Sequence, residues 1–284
     1  MAKISQEPFS DRIVRLESKA REVRIHIIDM IYKAQSGHPG GALSAADILT
    51  ALYFDQMQVD PKNPLWAKRD RFILSKGHAC PVLYACLALK GYFPMKELDT
   101  LRKFNSILQG HPVKQKTPGV DMTTGSLGHG LSIGLGMALN GRIAEEDYFT
   151  YVLIGDGELD EGQNWEAAAS AAKFGLNHLV AIIDRNRLQM DGFTDDIMPM
   201  NSIADKFRAF NWDVLEMDGH SMHDIVLTLE KARLARGNKP VCIVANTIKG
   251  KGVSYMENVR QWHGQAPNEQ EFALAMEELG GTNS

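Results

Sequence analysis

The chain has 284 residues, a formal net charge of −4 and an apolar fraction of 44 %. This length and composition are typical of a folded protein with a sizeable buried core, and they exclude a disordered chain. Its 31 Lys and Arg residues are scattered instead of forming a basic stripe, so we expect no nucleic-acid partner.

The amino terminus and the cysteines bear on the cellular compartment. Residues 1–24 are charged where a secretory signal would be apolar, and no stretch reaches the roughly 18 apolar residues that a membrane span requires. Cys80, Cys86 and Cys242 form no CxxC pair, and an odd number of cysteines argues against a disulfide framework. We therefore expect a cytoplasmic protein with no membrane partner.

Hydrophobic periodicity predicts helices and strands that alternate along the chain. Apolar residues three or four apart predict a long helix from Ser10 to Ala34, and a second helix with Ser44 as its cap runs to Phe54. Further helices are predicted near 78–90, 164–174, 202–209 and 222–235, with a terminal helix and loose tail over 268–284. Short apolar runs predict strands at 71–75, 149–154, 179–183, 212–217 and 240–248.

This alternation determines the expected fold class. Strands joined by helices of ten or more residues need crossover connections, so we expect an α/β fold with a mainly parallel sheet and helices on both faces. Neither a linker-like segment nor an internal repeat interrupts residues 1–284, which makes one domain the simplest organisation. Ligands of such sheets bind at the carboxyl ends of the strands.

A carboxylate and an amide follow two consecutive strands of this predicted sheet. Asp156 lies between Gly155 and Gly157 after the strand at 149–154, and Asn186 follows the next strand. One crossover brings both oxygens to the same edge. Because Mg²⁺ prefers six oxygen ligands and often takes some from phosphate, the pair predicts a site for a metal-bound diphosphate. We also expect the helix after Gly157 to direct its free N–H groups toward the anion.

A metal site is not the sole interpretation of these residues. A GDG sequence is often an ordinary strand-end turn, and Asn186 could be an ordinary loop residue. A metal-dependent phosphohydrolase could use Asp156, Glu158 and Asp160, but it would need a second metal or an activated water, and no further set of carboxylates and histidines is evident. We expect Glu158 and Asp160 to be first-turn residues that favour the start of a helix.

The stretch GDGELDEG followed by NHLVAIIDRNRLQMDG resembles the thiamine diphosphate motif of the diphosphate-binding domain of thiamine enzymes. The resemblance implies the thiamine diphosphate-binding fold, with Mg²⁺ as the metal and Ca²⁺ or Mn²⁺ as substitutes. It places the metal on Asp156, Asn186 and the main-chain carbonyl of Leu188. It also implies that Gly155 and Gly157 approach the diphosphate.

Four histidines lie in short segments that contain glycine or proline, namely SGHPGG, SKGHA, GHP and QWHGQAP. A single histidine of this kind is usually a turn residue, but the four segments, with TPGVDMTTGSLGHG at 117–130, resemble transketolase in the family order. His129 departs from the glutamine that is usual in that family. Imidazoles suit the chemistry because they hydrogen-bond sugar or phosphate oxygens and relay protons near neutral pH. The implied catalytic residues are His38, His111, His263 and Glu161, and the implied cofactor contacts further include His78 and again His263, both near the diphosphate, with Gly125 and Leu127.

The resemblance also implies a companion chain. In transketolases a separate pyrimidine-binding domain activates the cofactor, and the residues after Asn268 are too few to form one. We therefore expect the N-terminal subunit of a split transketolase, assembled as α2β2 with a C-terminal subunit and acting on sugar phosphates in the pentose phosphate pathway. The alternatives are a transketolase for an unusual sugar, a 2-oxoacid dehydrogenase first component, and a non-catalytic cofactor-binding module.

Overall fold

The computed structural model describes residues 7–235 and 237–281. The helices within these ranges are α1 Phe9–Ala34, α2 Pro39–Ser44, α3 Ala46–Ala51, α4 Cys80–Lys90, α5 His129–Ile143, α6 Gln163–Lys173, α7 Thr194–Ile197, α8 Ile203–Ala209, α9 Met222–Leu234 and α10 Glu269–Glu278. The strands are β1 Arg71–Leu74, β2 Thr150–Gly155, β3 Leu179–Arg185, β4 Asp213–Asp218 and β5 Val241–Asn246. Each predicted strand is present, with ends that differ by at most a few residues.

The five strands form one parallel sheet in the order β1-β2-β3-β5-β4. Strands β2 and β3 are neighbours, with Gly155 paired to Asp184. The chain therefore leaves both strands at the same edge of the sheet, one residue before Asp156 and one residue before Asn186. This register is what brings the two predicted ligands together.

Side chains of the sheet alternate between two hydrophobic cores. Tyr151 and Leu153 of β2 pack with α1, α3, α4 and α9 on one face, while Val152 and Ile154 pack with α5, α6 and α8 on the other. The period-two alternation of a strand thus buries both faces under helices. This confirms the predicted α/β fold class.

Helix α5 has no counterpart among the predicted elements. Its sequence, HGLSIGLGMALNGRI, contains glycines at 130, 134, 136 and 141, and each glycine inside a helix costs about 1 kcal/mol relative to alanine. The close approach of α5 to the sheet explains part of this composition. A Cβ on Gly134 would lie 2.4 Å from Cγ2 of Val152, and one on Gly130 would lie 2.3 Å from Cβ of Ser75.

The predicted cap at Ser44 is wrong. Helix α2 begins earlier, at Pro39, because proline fits the first position of a helix, where its missing N–H is not needed. Ser44 is the last residue of α2 and is buried, and its hydroxyl donates a hydrogen bond to the Asp184 carboxylate, 2.6 Å away, with the Gly41 carbonyl 3.1 Å from the same oxygen.

The terminal helix is confirmed, since α10 begins directly after Asn268, whose side chain caps it in a capping box with Glu271. Residues 282–284 of the predicted tail lie outside the described residues, and the single-domain organisation over 1–284 stays a prediction. Within the described ranges, the helices are all too short or too polar to cross a membrane.

Candidate active site

A cavity of about 220 Å³ opens at the carboxyl edge of the sheet. Segments that follow β1, β2, β3 and β5 form its walls, as expected for a ligand site in a parallel α/β fold. Eight of the predicted site residues line it: His78, Leu127, Gly155, Asp156, Gly157, Asn186, Leu188 and His263.

Asp156 joins the two strand-end loops, and Asn186 orders the second of them. One carboxylate oxygen of Asp156 accepts a 3.0 Å hydrogen bond from the Gly157 N–H, and the other accepts a 2.6 Å bond from the Arg187 N–H. The Asn186 carbonyl oxygen accepts a 3.2 Å bond from the Leu188 N–H. A carboxylate, an amide oxygen and the Leu188 carbonyl therefore lie on one short stretch of cavity wall, and all three are oxygen ligands of the kind that Mg²⁺ takes.

The charge around Asp156 also suits a cation. Burial and the nearby negative charge of Asp184 raise the pKa of Asp156 to about 6, although two N–H donors and Lys249 partly oppose them. No ion pair to Asp156 forms among residues 7–235 and 237–281. In the same ranges no three His, Cys, Asp or Glu side chains form a metal cluster, so a metal here would need amide, carbonyl and ligand oxygens.

A buried ion pair supports the floor of the site. Asp184 is fully buried and accepts hydrogen bonds from the Lys76 ammonium, the Ser44 hydroxyl, the Thr247 hydroxyl and the Asn186 amide. Burial alone would raise the pKa of Asp184, but Lys76 and the two hydroxyls hold it below its ordinary value. Asp184 accepts a hydrogen bond from Nδ2 of Asn186. The amide oxygen of Asn186 therefore faces the loop after β3, where it accepts from the Leu188 N–H.

Two buried lysines of the cavity were not among the predicted site residues. Lys76 follows β1 and donates to the Gly41 carbonyl at 2.7 Å. Lys249 follows β5, and its ammonium lies 2.7 Å from both the Leu188 carbonyl and Nδ1 of His263. Burial and repulsion from Lys76 lower the pKa of Lys249 to about 8. Each lysine comes one residue after a predicted strand, and this position is the signal that could have identified it.

Three of the predicted histidines form a cluster at the cavity. The ring centroids of His38, His78 and His263 are 5.1 to 5.6 Å apart in all three pairs. Burial, with repulsion from nearby cations, lowers the pKa of His38 and of His263 to about 4 and that of His78 well below its ordinary value. The cluster is therefore uncharged at neutral pH and presents hydrogen-bonding imidazoles.

The remaining predicted residues lie outside the cavity wall. His111 is exposed beside Gly125, where a Cβ on the glycine would lie 3.5 Å from the His111 ring. Glu161 is exposed next to the Gly128 turn, and the structure does not bring its carboxylate into the cavity. His111 and Glu161 therefore both lie beside the 125–128 loop.

The helix expected after Gly157 begins there, but it is a short 3-10 helix capped by the Asp156 side chain, with Glu158 and Asp160 in its first turn. A 3-10 turn, Gly157–Asp160, follows Asp156, and α6 begins only at Gln163. Glu158 is buried, and its carboxylate accepts hydrogen bonds from the Ser75 hydroxyl and from the N–H groups of Gly128 and Gly155. Glu158 is therefore a first-turn residue, as expected, and its carboxylate also joins three segments of the site.

Asp160 likewise accepts a 2.9 Å bond from the Gln189 amide. Asp156, Glu158 and Asp160 thus engage different partners and do not converge on a second metal position, which argues against the phosphohydrolase interpretation.

Comparisons with known proteins identify the family of this chain. The family model described as transketolase, thiamine diphosphate binding domain, matches residues 16–284. An apulose-4-phosphate transketolase subunit of Phocaeicola vulgatus is 46 % identical over 268 residues, which cover 94 % of this chain and 95 % of the relative. The 6-deoxy-6-sulfo-D-fructose transketolase subunit SqwG of a Clostridium species is 46 % identical over 271 residues, which cover 95 % and 98 %.

A solved structure extends the agreement to the fold. The transketolase of Campylobacter jejuni superimposes with a TM-score of 0.88 at 33 % identity, over 95 % of this chain but only 43 % of the longer one. The residues matched by the family model, 16–284, contain the cavity, the three strand-end oxygens and the histidine cluster described above. The chain belongs to the transketolase family and is its N-terminal, thiamine diphosphate-binding part.

Proposed function

We propose that this chain is the N-terminal subunit of a thiamine diphosphate- and Mg²⁺-dependent transketolase. With a separate C-terminal subunit it transfers a two-carbon ketol unit from a ketose phosphate to an aldose acceptor. The observation that carries this proposal is the position of three oxygen ligands and three uncharged imidazoles around one cavity at the carboxyl edge of the sheet.

The donor set supports the metal and diphosphate roles. Asp156, Asn186 and the Leu188 carbonyl would hold Mg²⁺, with Ca²⁺ or Mn²⁺ as substitutes, and diphosphate oxygens would complete its shell. Gly155, Gly157, Leu127 and His78 line the same cavity, and the buried Lys249 ammonium would balance the charge of the anion. The negative charge of Asp156, which has no salt-bridge partner in the described ranges, supports a cation at this place.

The imidazoles support the sugar chemistry. When bound, thiamine diphosphate supplies the electron sink that allows a carbon–carbon bond next to a ketone to break. His38 and His111 would hydrogen-bond the hydroxyls of the sugar, and His263 would lie near the diphosphate. Their lowered pKa values keep these rings neutral at pH 7, so that each ring offers one donor and one acceptor.

The proposed partner is a C-terminal subunit that supplies the pyrimidine-binding domain, in an α2β2 assembly. The two relatives named as transketolase subunits match this chain over nearly their whole length, whereas it spans less than half of a full-length transketolase. Glu161 and Gly125 are exposed, which leaves them accessible for the proposed link between paired active sites and for the aminopyrimidine end of the cofactor. We also propose a cytoplasmic location and a role in the pentose phosphate pathway.

A second candidate function differs from the first in the sugar that the enzyme would use. The two relatives at 46 % identity carry names that specify apulose-4-phosphate and 6-deoxy-6-sulfo-D-fructose. These names support a transketolase that acts on an unusual sugar phosphate or a sulfonated sugar. The catalytic groups proposed above would be the same, since they address the ketone and its neighbouring hydroxyls and not the distal anionic group.

The test is reconstitution. The chain is used to capture its companion from native extract with Mg²⁺ and thiamine diphosphate, and each purified component is assayed alone and together with a panel of ketose phosphates, a branched sugar phosphate and a sulfonated ketose. We expect ketol transfer only from the mixture, and the preferred donor identifies the sugar class. Full transfer by this chain alone would contradict the two-subunit proposal, and no transfer from any mixture would favour a non-catalytic module.

A further inference from the structure

Arg102 reaches into the candidate site from a loop that the proposed chemistry does not use. It follows the 3-10 helix Met95–Thr100 and has a φ of +60°. Its N–H donates a 2.9 Å hydrogen bond to the Leu108 carbonyl, which closes the loop and directs the side chain toward the SGHPGG and GHP segments. The guanidinium is partly buried between them.

The guanidinium contacts three groups from these two segments. One terminal nitrogen donates to the Ser36 hydroxyl at 3.0 Å, and the other lies 3.4 Å from Nδ1 of His38 and 3.5 Å from the Gly110 carbonyl. The guanidinium packs closely on Gly110, because a Cβ there would lie 3.1 Å from the Arg102 Cζ. The side chain is therefore fixed between the segments that carry His38 and His111.

The contact with His38 determines which ring nitrogen carries the proton. A guanidinium has five N–H donors and no acceptor, so Nδ1 of His38 must accept. A neutral imidazole has one acceptor nitrogen and one N–H, which leaves the proton on Nε2. The groups that face this ring are the cations Arg102 and Lys249 and the imidazoles of His78, His111 and His263. None of them is an acid that could stabilise a charged imidazolium.

We propose that Arg102 is a positioning residue that fixes His38 as the neutral tautomer with its proton on Nε2. His38 then donates a hydrogen bond to a substrate oxygen and does not act as the base that removes a proton. The proposal about the tautomer stands on the geometry alone, and only the statement about the substrate rests on the proposed function. Proton removal from the sugar would then fall to another group.

The test is nuclear magnetic resonance of the chain labelled with ¹⁵N and ¹³C in histidine, with the His38 signals assigned by their loss in His38→Gln. At pH 7 we expect unprotonated Nδ1 and protonated Nε2. Arg102→Met should give a mixture of tautomers and a higher pKa for His38, because both the donor and the cation are removed. Arg102→Lys keeps the positive charge but loses the planar guanidinium with its five N–H donors. We therefore expect a mixture of tautomers, with the pKa of His38 still low.

Arg21→Met is the matched control, since Arg21 is exposed on α1 away from the cavity, and His38 should be unchanged in it. The His263 signals should also stay unchanged in the Arg102 variants. In the reconstituted enzyme, Arg102→Met should lower kcat/KM about tenfold, as expected for the loss of one hydrogen bond.

A proton on Nδ1 in the parent chain would overturn the proposal, even if the variants failed to fold. So would an unchanged tautomer in Arg102→Met. Absence of ketol transfer with the expected tautomer present would count against the proposed function and leave the role of Arg102 intact.

Discussion

At the scale of single residues, Asp156 is the side chain on which the proposed metal site depends most. It is 5 % exposed and lacks a salt-bridge partner within the described ranges. Replacing it with asparagine removes the charge but keeps the shape. Because two charges 4 Å apart interact by about 4 kcal/mol at an effective dielectric of 20, we expect Asp156→Asn to weaken Mg²⁺-dependent binding of thiamine diphosphate by roughly a hundredfold or more.

Titration calorimetry at saturating Mg²⁺, on the chain with its companion subunit, would measure this loss. Asp213→Asn is the matched control, because Asp213 starts β4 at the opposite edge of the sheet and is about half exposed. Unchanged affinity in Asp156→Asn would show that the metal assignment is wrong.

Glu158 has a different role at the same scale, since it stabilises the loops that surround the cavity. Glu158→Ala would leave the Ser75 hydroxyl and the N–H groups of Gly128 and Gly155 without their acceptor. Each unsatisfied buried group costs about 1 to 3 kcal/mol, so we expect a loss of about 3 kcal/mol or more in the free energy of unfolding. Urea denaturation would measure it, and the exposed Glu166→Ala should change it by less than about 0.5 kcal/mol. An effect equal to that of the control would contradict this role.

Some site residues could be predicted because their position depends on the order of strands along the chain. Others could not, because their contacts come from distant segments. Asp156 and Asn186 were predictable because each follows a strand, and parallel neighbours end at one edge. The role of Glu158 was not predictable, because its three partners come from the residue after β1, the 125–128 loop and the end of β2, and no local pattern encodes that convergence. Ser44 was misassigned for the same reason, since its partner Asp184 lies 140 positions away.

At the scale of the elements, α5 shows why glycine can be required inside a helix. Gly134 faces β2, where a Cβ would meet Val152 at 2.4 Å, whereas Gly136 faces open space with nothing within 4 Å. The two positions lie in the middle of the same helix and differ by about half a turn. Periodicity missed this helix because a pattern of apolar residues does not reveal which glycines are needed for packing.

This contrast predicts opposite effects for two identical substitutions. Gly134→Ala should destabilise the isolated chain by about 1 to 3 kcal/mol, because the extra methyl group overpacks the interface between α5 and the sheet. Gly136→Ala should stabilise it by about 0.5 to 1 kcal/mol, since alanine favours the helix and meets no neighbour. Urea unfolding of both variants would measure the difference, and effects of the same sign would contradict the packing proposed for α5.

At the scale of the whole molecule, one sheet separates two hydrophobic cores, and each core contains at least one of the three cysteines. Cys80 and Cys86 lie in the core formed by α1, α3, α4 and α9, and Cys242 lies in the core formed by α5, α6 and α8. All three thiols are free and fully buried. Burial raises the pKa of Cys80 to about 12 and raises those of Cys86 and Cys242 as well.

Because only an exposed thiolate reacts readily, alkylation of these cysteines measures the opening of each core. Both cores share the five strands, so we expect them to open together in the global unfolding transition. With iodoacetamide at pH 8 and increasing urea, mass spectrometry of the peptides should show little labelling below the unfolding midpoint and the same midpoint for all three cysteines. Labelling of Cys242 at lower urea than Cys80 and Cys86 would contradict this expectation, because it would mean that α5, α6 and α8 leave the sheet before the other face does.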